Sequence, residues 1–277
     1  MQRSDYAEIV GRALSEDLGE LGDITSDACI PETAESDAFF VGRAEGVIAG
    51  LEVAAYVFET LDPSLSFVPV IADGDQVGPG DRAARISGRT RSILSGERTA
   101  LNLLGRMSGV ATATAMLVAA VSGTGVRISD TRKTMPGLRA IDKYAVRAGG
   151  GMNHRFGLYD AVLIKDNHLA AIGDLTAAVA AARAVVGPGV MVEVEVDNLD
   201  QLARVLESDA DRVLLDNMGP ELLGRAVEMV GGRMTTEASG GVTRDNVRLL
   251  AETGVDIISV GWLTHSAPQL DIALDFA

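Results

Sequence analysis

The sequence predicts an α/β fold in which a βα barrel follows a smaller α+β domain. Two patterns predict the barrel. After residue 126, short apolar runs rich in β-branched residues recur at 126–129, 161–164, 190–196, 212–215, 234–238 and 257–260. Helical stretches separate the later runs, the rhythm of parallel strands joined by crossover helices. Polar residues then gather at or just beyond the end of every run. They are Asp130, Thr131, Arg132 and Lys133; Lys165, Asp166, Asn167 and His168; Glu195 and Asp197; Asp216 and Asn217; Ser239, Gly240 and Gly241; and Gly261. In a βα barrel the C-terminal strand ends converge on one site, whereas a doubly wound open sheet concentrates its chemistry at a switch point. Six ends carrying reactive groups favour the barrel. A third pattern, alternating segments broken by tight-turn signals, predicts the first domain.

The elements follow in order. Ile9, Val10, Leu14 and Leu18 share one helical face, so 5–18 reads as an amphipathic helix. Gly42, Gly46 and Gly50 divide 39–51 into short strands and turns, and 51–61 reads as a helix stopped by Asp62 and Pro63. From 65 to 93, strand-like pieces are broken at Asp73-Gly74, at Pro79-Gly80-Asp81 and at Gly88. The stretch 95–121 reads as one or two packed helices. Its part 101–121 is the most apolar stretch of the chain, but Asn102, Arg106, Ser108 and threonines interrupt it, so a buried helix rather than a membrane span is expected. Beyond it, helices are expected at 175–186, 199–207, 221–230 and 243–252, with Asn198, Pro220 and Thr243 near their starts.

Composition narrows the function. The chain has 277 residues and a formal net charge of −15, which argues against nucleic-acid or anionic-membrane partners. A locally basic pocket for a small anion remains compatible with that charge. The single cysteine, Cys29, excludes an internal disulfide and suits a reducing, cytoplasmic setting. The N-terminal residues carry acids and no apolar core, unlike a signal peptide. Lysine is rare: only Lys133, Lys143 and Lys165 stand among the arginines. Lysine is a compact cation whose proton affinity responds to burial, so its selective use marks these positions.

The strand-end residues carry three kinds of chemistry. Arg132, Lys133, His154, Arg155 and Lys165 form a convergent cationic set that Arg98 and Arg139 are placed to join. Cations cluster only where anions meet them. Those anions are either a polyanionic ligand or the chain's own Asp130, Asp142, Asp160 and Asp166. Glu195 and Asp216, at the ends of neighbouring strands, are candidates for Mg2+ or sugar hydroxyls. Ser239-Gly240-Gly241 and Gly261, after the last two strands, offer backbone N–H groups to a phosphate. The loop 149–155, starting with three glycines, ends in His154 and Arg155. A ligand with phosphates, a sugar, a metal and a further anionic group fits this set.

These segments resemble the quinolinate phosphoribosyltransferase family. The match is carried by 130–139, 143–146, 149–158, 163–168, 193–196, 215–217, 237–241, 259–261 and 263–266, and extends from residue 23 to the C-terminus. The resemblance implies an open-sandwich domain over 1–107, onto which 267–277 packs, and an incomplete α/β barrel over 108–266. It implies phosphoribosyl transfer from 5-phosphoribosyl 1-diphosphate to quinolinate with decarboxylation, Mg2+ as cofactor, and a homo-oligomer in which Arg98 reaches a neighbouring subunit's site. By the same resemblance Arg98, Arg132, His154, Arg155 and Lys165 cradle quinolinate. Lys133, Glu195, Asp216, Gly240, Gly241 and Gly261 serve the donor and metal, with Thr131, Ser239, Val260 and His265 completing the binding set. Lys133, Lys165, Glu195 and Asp216 are the expected catalytic groups.

Other readings stay open on the residues alone. A paralogous transferase of the same fold would change the cationic cradle, and a nicotinate-type transferase would need fewer cations. A non-catalytic phosphate sensor would have little use for both Glu195 and Asp216.

Overall fold

A computed structural model describes residues 1–277, apart from the side chain of Ala170. The chain divides into two compact units. The first comprises 1–115, 134–150 and 263–277; the second comprises 116–133 and 151–262. This division crosses the boundary expected at 107/108, because 134–150 belongs with the first unit. The contacts within that unit explain it. Asp142 takes two hydrogen bonds from Arg106, and the Tyr144 hydroxyl donates to Asp73 at 2.7 Å.

The first unit opens with α1 (Ala7–Leu18) and α2 (Ile24–Cys29), whose N-cap Asp23 accepts from Ser26 N–H. Next come β1 (Glu35–Gly42), β2 (Gly46–Val47), α3 (Leu51–Leu61), β3 (Ser66–Pro69), β4 (Gln76–Val77) and β5 (Arg82–Arg89). The helix α4 (Thr90–Ala120) is one continuous 31-residue element rather than two. It is long and apolar enough to cross a membrane, yet Leu104, Met107, Val110, Ala111 and Leu117 along it are fully buried. Phe40, Phe58 and Phe67 pack edge and face in the core beside it.

The second unit's strands are β6 (Arg127–Ser129), β7 (Val162–Ile164), β8 (Val192–Val196), β9 (Arg212–Asp216), β10 (Thr235–Ser239) and β11 (Ile257–Ser259). Between β6 and β7 the chain forms α5 (Arg139–Ala148), which counts with the first unit. The crossover helices are α6 (Asp166–Ile172), α7 (Leu175–Val186), α8 (Leu199–Val205), α9 (Pro220–Val230) and α10 (Val247–Ala251); α11 (Trp262–His265) follows β11. Asn198 caps α8 as expected, and Pro220 takes the first turn of α9, where its missing N–H costs nothing. The helix expected at 243–252 is shorter, because Thr243 and Asn246 bond each other in a turn first.

All six strands lie in one parallel sheet of order β6-β11-β10-β9-β8-β7. No pairing joins β6 to β7 among the described residues, so the barrel is incomplete. Val192, Val194, Val196, Val213 and Leu215 are buried on one face of the sheet, as parallel strands covered on both faces require. In the first unit the antiparallel order is β12-β1-β5-β3. Its edge strand β12 (Ile272–Phe276) pairs with β1 from Ala38↔Phe276 to Gly42↔Ile272.

Candidate active site

Strand alternation builds the site. Side chains two apart on a strand share a face, which places Glu193 and Glu195 together, then Arg212, Leu214 and Asp216, then Glu237 and Ser239. Register stacks these into layers, the way barrel interiors are filled. Leu163, Glu193 and Arg212 are level with one another. Glu195, Leu214 and Glu237 form the next layer, and Asp216 and Ser239 lie beyond them.

The upper layers open into a cleft of about 550 Å³. It is lined by Thr131, Arg132, Lys133, His154, Arg155, Lys165, Glu195, Asp216, Ser239, Gly240 and Gly241. Leu163, Leu214, Asn217, Glu237 and Ser259 complete the wall. Eleven of the fifteen residues singled out in the sequence thus line one cavity. Val260 is buried and Gly261 is half-buried; neither is in the lining. Arg98 and His265 belong to the first unit, on exposed positions, as does Arg139, whose Nε donates to Thr134. Lys143 is buried in α5, also in that unit.

The cationic wall is held by a buried brace. Segment 152 runs alongside β6 through a parallel bridge between Ser129 and Met152. Asp130, fully buried, then accepts from His154 N–H at 2.9 Å and from Asn153 Nδ2 at 2.5 Å. The His154 ring accepts the Arg155 N–H at Nδ1, 2.7 Å away, so its proton sits on Nε2. Nε2 faces Glu193 at 3.0 Å and Glu237 at 3.4 Å. Burial opposes protonation of His154, but the hydrogen bond to Glu193 and the two carboxylate charges raise its pKa on balance. Burial, and then Arg132, lowers the Arg155 pKa. Burial, and then repulsion from Glu193, pushes Glu237 up to about 7.

Lys165 pairs with Glu195 across neighbouring strands. Glu195 and Asp216 also line a smaller cleft with Asp166, Asp197 and Gln201, a set of hard oxygen donors. At the end of β9, Asn217 adopts a left-handed backbone, φ +54°. Its Nδ2 donates to Asp216 Oδ2 at 2.6 Å, and its N–H donates to Ser239 O at 2.8 Å. Gly240, at φ +92°, passes against it; a Cβ there would lie 2.6 Å from Asn217 Cγ and 3.0 Å from its N. Glu193, Glu237 and Asn217 carry no assigned role in the sequence reading, although Asn217 stands there among the strand-end polar residues. The parity shared by Glu193 and Glu195 was the available signal.

The six parallel strands thus form an incomplete βα barrel whose strand ends bring cations, two carboxylates and a Ser-Gly-Gly turn to one cleft. Two family models match the chain: the N-terminal domain of quinolinate phosphoribosyl transferase over residues 23–108, and its C-terminal domain over 110–275. A probable nicotinate-nucleotide pyrophosphorylase (carboxylating) of Bacillus subtilis is 40% identical, covering 99% of this chain and 94% of that protein. Quinolinate phosphoribosyltransferase (decarboxylating) 1 of Nicotiana glauca is 42% identical, covering 98% and 82%. Among solved structures, NadC from Streptococcus pyogenes superposes with a TM-score of 0.95 at 37% identity, covering 100% of this chain and 99% of that one. The nicotinate-nucleotide pyrophosphorylase of Francisella tularensis gives 0.94 at 38%, covering 100% and 98%. The chain belongs to the quinolinate phosphoribosyltransferase family.

Proposed function

We propose that this chain transfers the phosphoribosyl group of 5-phosphoribosyl 1-diphosphate to quinolinate with loss of CO2, forming nicotinate mononucleotide and diphosphate for NAD synthesis. The observation that carries the reading is one cleft in which arginines, lysines, two strand-end carboxylates and a Ser-Gly-Gly turn converge. Arg132, Arg155 and Lys165 suit the two carboxylates of the acceptor, the guanidinium forks binding in plane and lysine as a point charge. The N–H groups around Ser239, Gly240 and Gly241 suit the donor's phosphate. Lys133, exposed at the rim, suits its diphosphate.

The acceptor nitrogen attacks the anomeric carbon as the bond to diphosphate breaks. Lys133 stabilises the charge that gathers on the leaving oxygens, and Glu195 and Asp216 face the positive charge that develops on the sugar. The new bond makes the pyridine ring cationic. That ring accepts the electron pair left when the adjacent carboxylate departs as CO2, and a proton then takes its place. Positioning supplies most of the acceleration, so no covalent nucleophile is required. Glu195 and Asp216 fit Mg2+, being oxygen donors beside a phosphate-binding turn; bound there, the ion supplies neutralisation of diphosphate charge. We further propose a cytoplasmic homo-oligomer in which Arg98, exposed on α4, completes a neighbouring subunit's acceptor site.

The test is turnover. Purified protein with quinolinate, donor and Mg2+ is expected to yield nicotinate mononucleotide and CO2 in equal amounts, and nicotinate as parallel acceptor is expected to yield none. Product from nicotinate alone, or from neither, would overturn the assignment.

A further inference from the structure

Beneath the cleft lies a group of buried ionisable side chains that the proposed steps do not use. Glu193 and Glu237 are fully buried. Both reach the same atom, His154 Nε2, at 3.0 and 3.4 Å. Arg212 Nη1 donates to Glu237 at 3.1 Å, and Arg155 and Arg132 supply the remaining positive charge close by. Two like charges placed side by side away from water are costly unless cations and hydrogen bonds compensate.

The geometry of the ring gives this arrangement a use. An imidazole has two nitrogens. Nε2 is taken by the carboxylates, and Nδ1 accepts the Arg155 backbone N–H at 2.7 Å. Both are engaged inside the protein, so neither faces a ligand. What the ring does is join the buried carboxylates to the backbone that carries Arg155, whose guanidinium is steadied in turn by Ala161 O at 2.9 Å.

We propose that Glu193 and Glu237 are positioning residues of the acceptor site, acting through the His154 ring to hold Arg155 in place. The proposal rests on the reading of the reaction given above and assigns His154 to the bracket rather than to direct contact through a ring nitrogen. Acceptor affinity then depends on two carboxylates through the ring they hold, Glu193 behind the cleft and Glu237 at its wall.

Benzene-1,2-dicarboxylate carries both carboxylates but no attacking nitrogen, so its binding can be followed by calorimetry independently of turnover. At pH 8, above the value near 7 to which Glu237 is raised, Glu193→Gln and Glu237→Gln are each expected to weaken its binding, and to raise the quinolinate KM, about tenfold or more. The donor KM should move less than about twofold, because the Ser-Gly-Gly side of the cleft is untouched. In a His154→Leu background either change should add less than about twofold, since the ring through which they act is gone. Where a glutamine variant does not fold, Glu193→Asp keeps the charge and withdraws it from the ring, with the same expected loss. Variants that bind the dicarboxylate like the parent overturn the proposal. So do equal losses for both substrates, the mark of a merely structural role, and full additivity with His154→Leu. Parent protein that does not bind the dicarboxylate overturns the reaction and the proposal together. Parent protein that binds it without turning over quinolinate overturns the reaction alone, and the binding series then decides the proposal.

Discussion

Gly240→Ala is the most demanding test of how the donor side is assembled. At φ +92° an L-residue pays roughly 1–2 kcal/mol in backbone strain. The added Cβ would also sit 2.6 Å from Asn217 Cγ and 3.0 Å from Asn217 N. Asn217 must then move, and it has two bonds to lose: 2.6 Å to the Asp216 carboxylate and 2.8 Å to Ser239 O. Because the Asn217–Asp216 bond is exposed, each bond contributes about 0.5–1.5 kcal/mol net. Together these give a destabilisation of about 2–4 kcal/mol, with weaker donor binding because Asp216 loses its brace. Gly241→Ala is the internal control. It has φ +59° but nothing within 4 Å of its Cβ, so it should show only the backbone part, about 1–2 kcal/mol. Urea denaturation of both variants gives the difference, and calorimetry with the donor gives the functional consequence. Equal stability of the two variants, with parental donor affinity in Gly240→Ala, would refute the reasoning that Asn217 and Gly240 are interlocked.

Three further outcomes are expected. Asp142→Asn removes one partner of a buried pair, with Arg106 Nε and Nη2 at 3.0 and 2.9 Å, and should cost about 3–5 kcal/mol in chemical denaturation; a loss under about 1 kcal/mol would contradict the burial argument. Glu237 holds its proton up to about pH 7 when folded and only to its ordinary value, 4.5, when unfolded, so its contribution to stability is fully present below 4.5 and is lost as pH rises through 7. The unfolding free energy should therefore fall from pH 5 to pH 8 by on the order of 3 kcal/mol at most, seen as a falling melting temperature, and Glu237→Gln should flatten that slope; a slope unchanged in the variant would exclude Glu237 as its source. Lys133→Ala, at an exposed position, should change stability by less than about 0.5 kcal/mol while lowering turnover about a hundredfold, and near-parental kinetics would remove Lys133 from the mechanism.

Much of this arrangement is legible in the sequence, for physical reasons. Parallel strands buried on both faces leave continuous β-branched runs, and all six runs became strands of one sheet. Strand ends are where a barrel puts its chemistry, so Lys165, Glu195, Asp216 and Ser239 were found from position alone. What lies a layer deeper was harder to see. Glu193 and Glu237 look like ordinary polar positions in a strand until register shows that they converge on His154. Asn217 stands out in the sequence only as a strand-end polar residue: a left-handed asparagine leaves no periodic trace, and its tie to Gly240 spans two separate strand ends. The helix α5 is hidden in the loop region between two strands, so the sequence marks Lys143 by its rarity and Asp142 as a possible ion-pair partner without showing that both are buried.

The pairing of β12 with β1 bears on how the chain matures during synthesis. β1 lies near the start of the chain, and its partner emerges only after the whole parallel sheet has been made. Through most of translation, then, the strand bearing Phe40 and Val41 has an unpaired side, the feature that invites pairing with other chains. A nascent chain stalled or cut before Ile272 would keep that side open however well its parallel sheet had formed. By covering β1, Ile272–Phe276 moves the open edge of the sheet from a strand of 8 residues to one of 5, and a shorter edge offers less to a neighbouring chain.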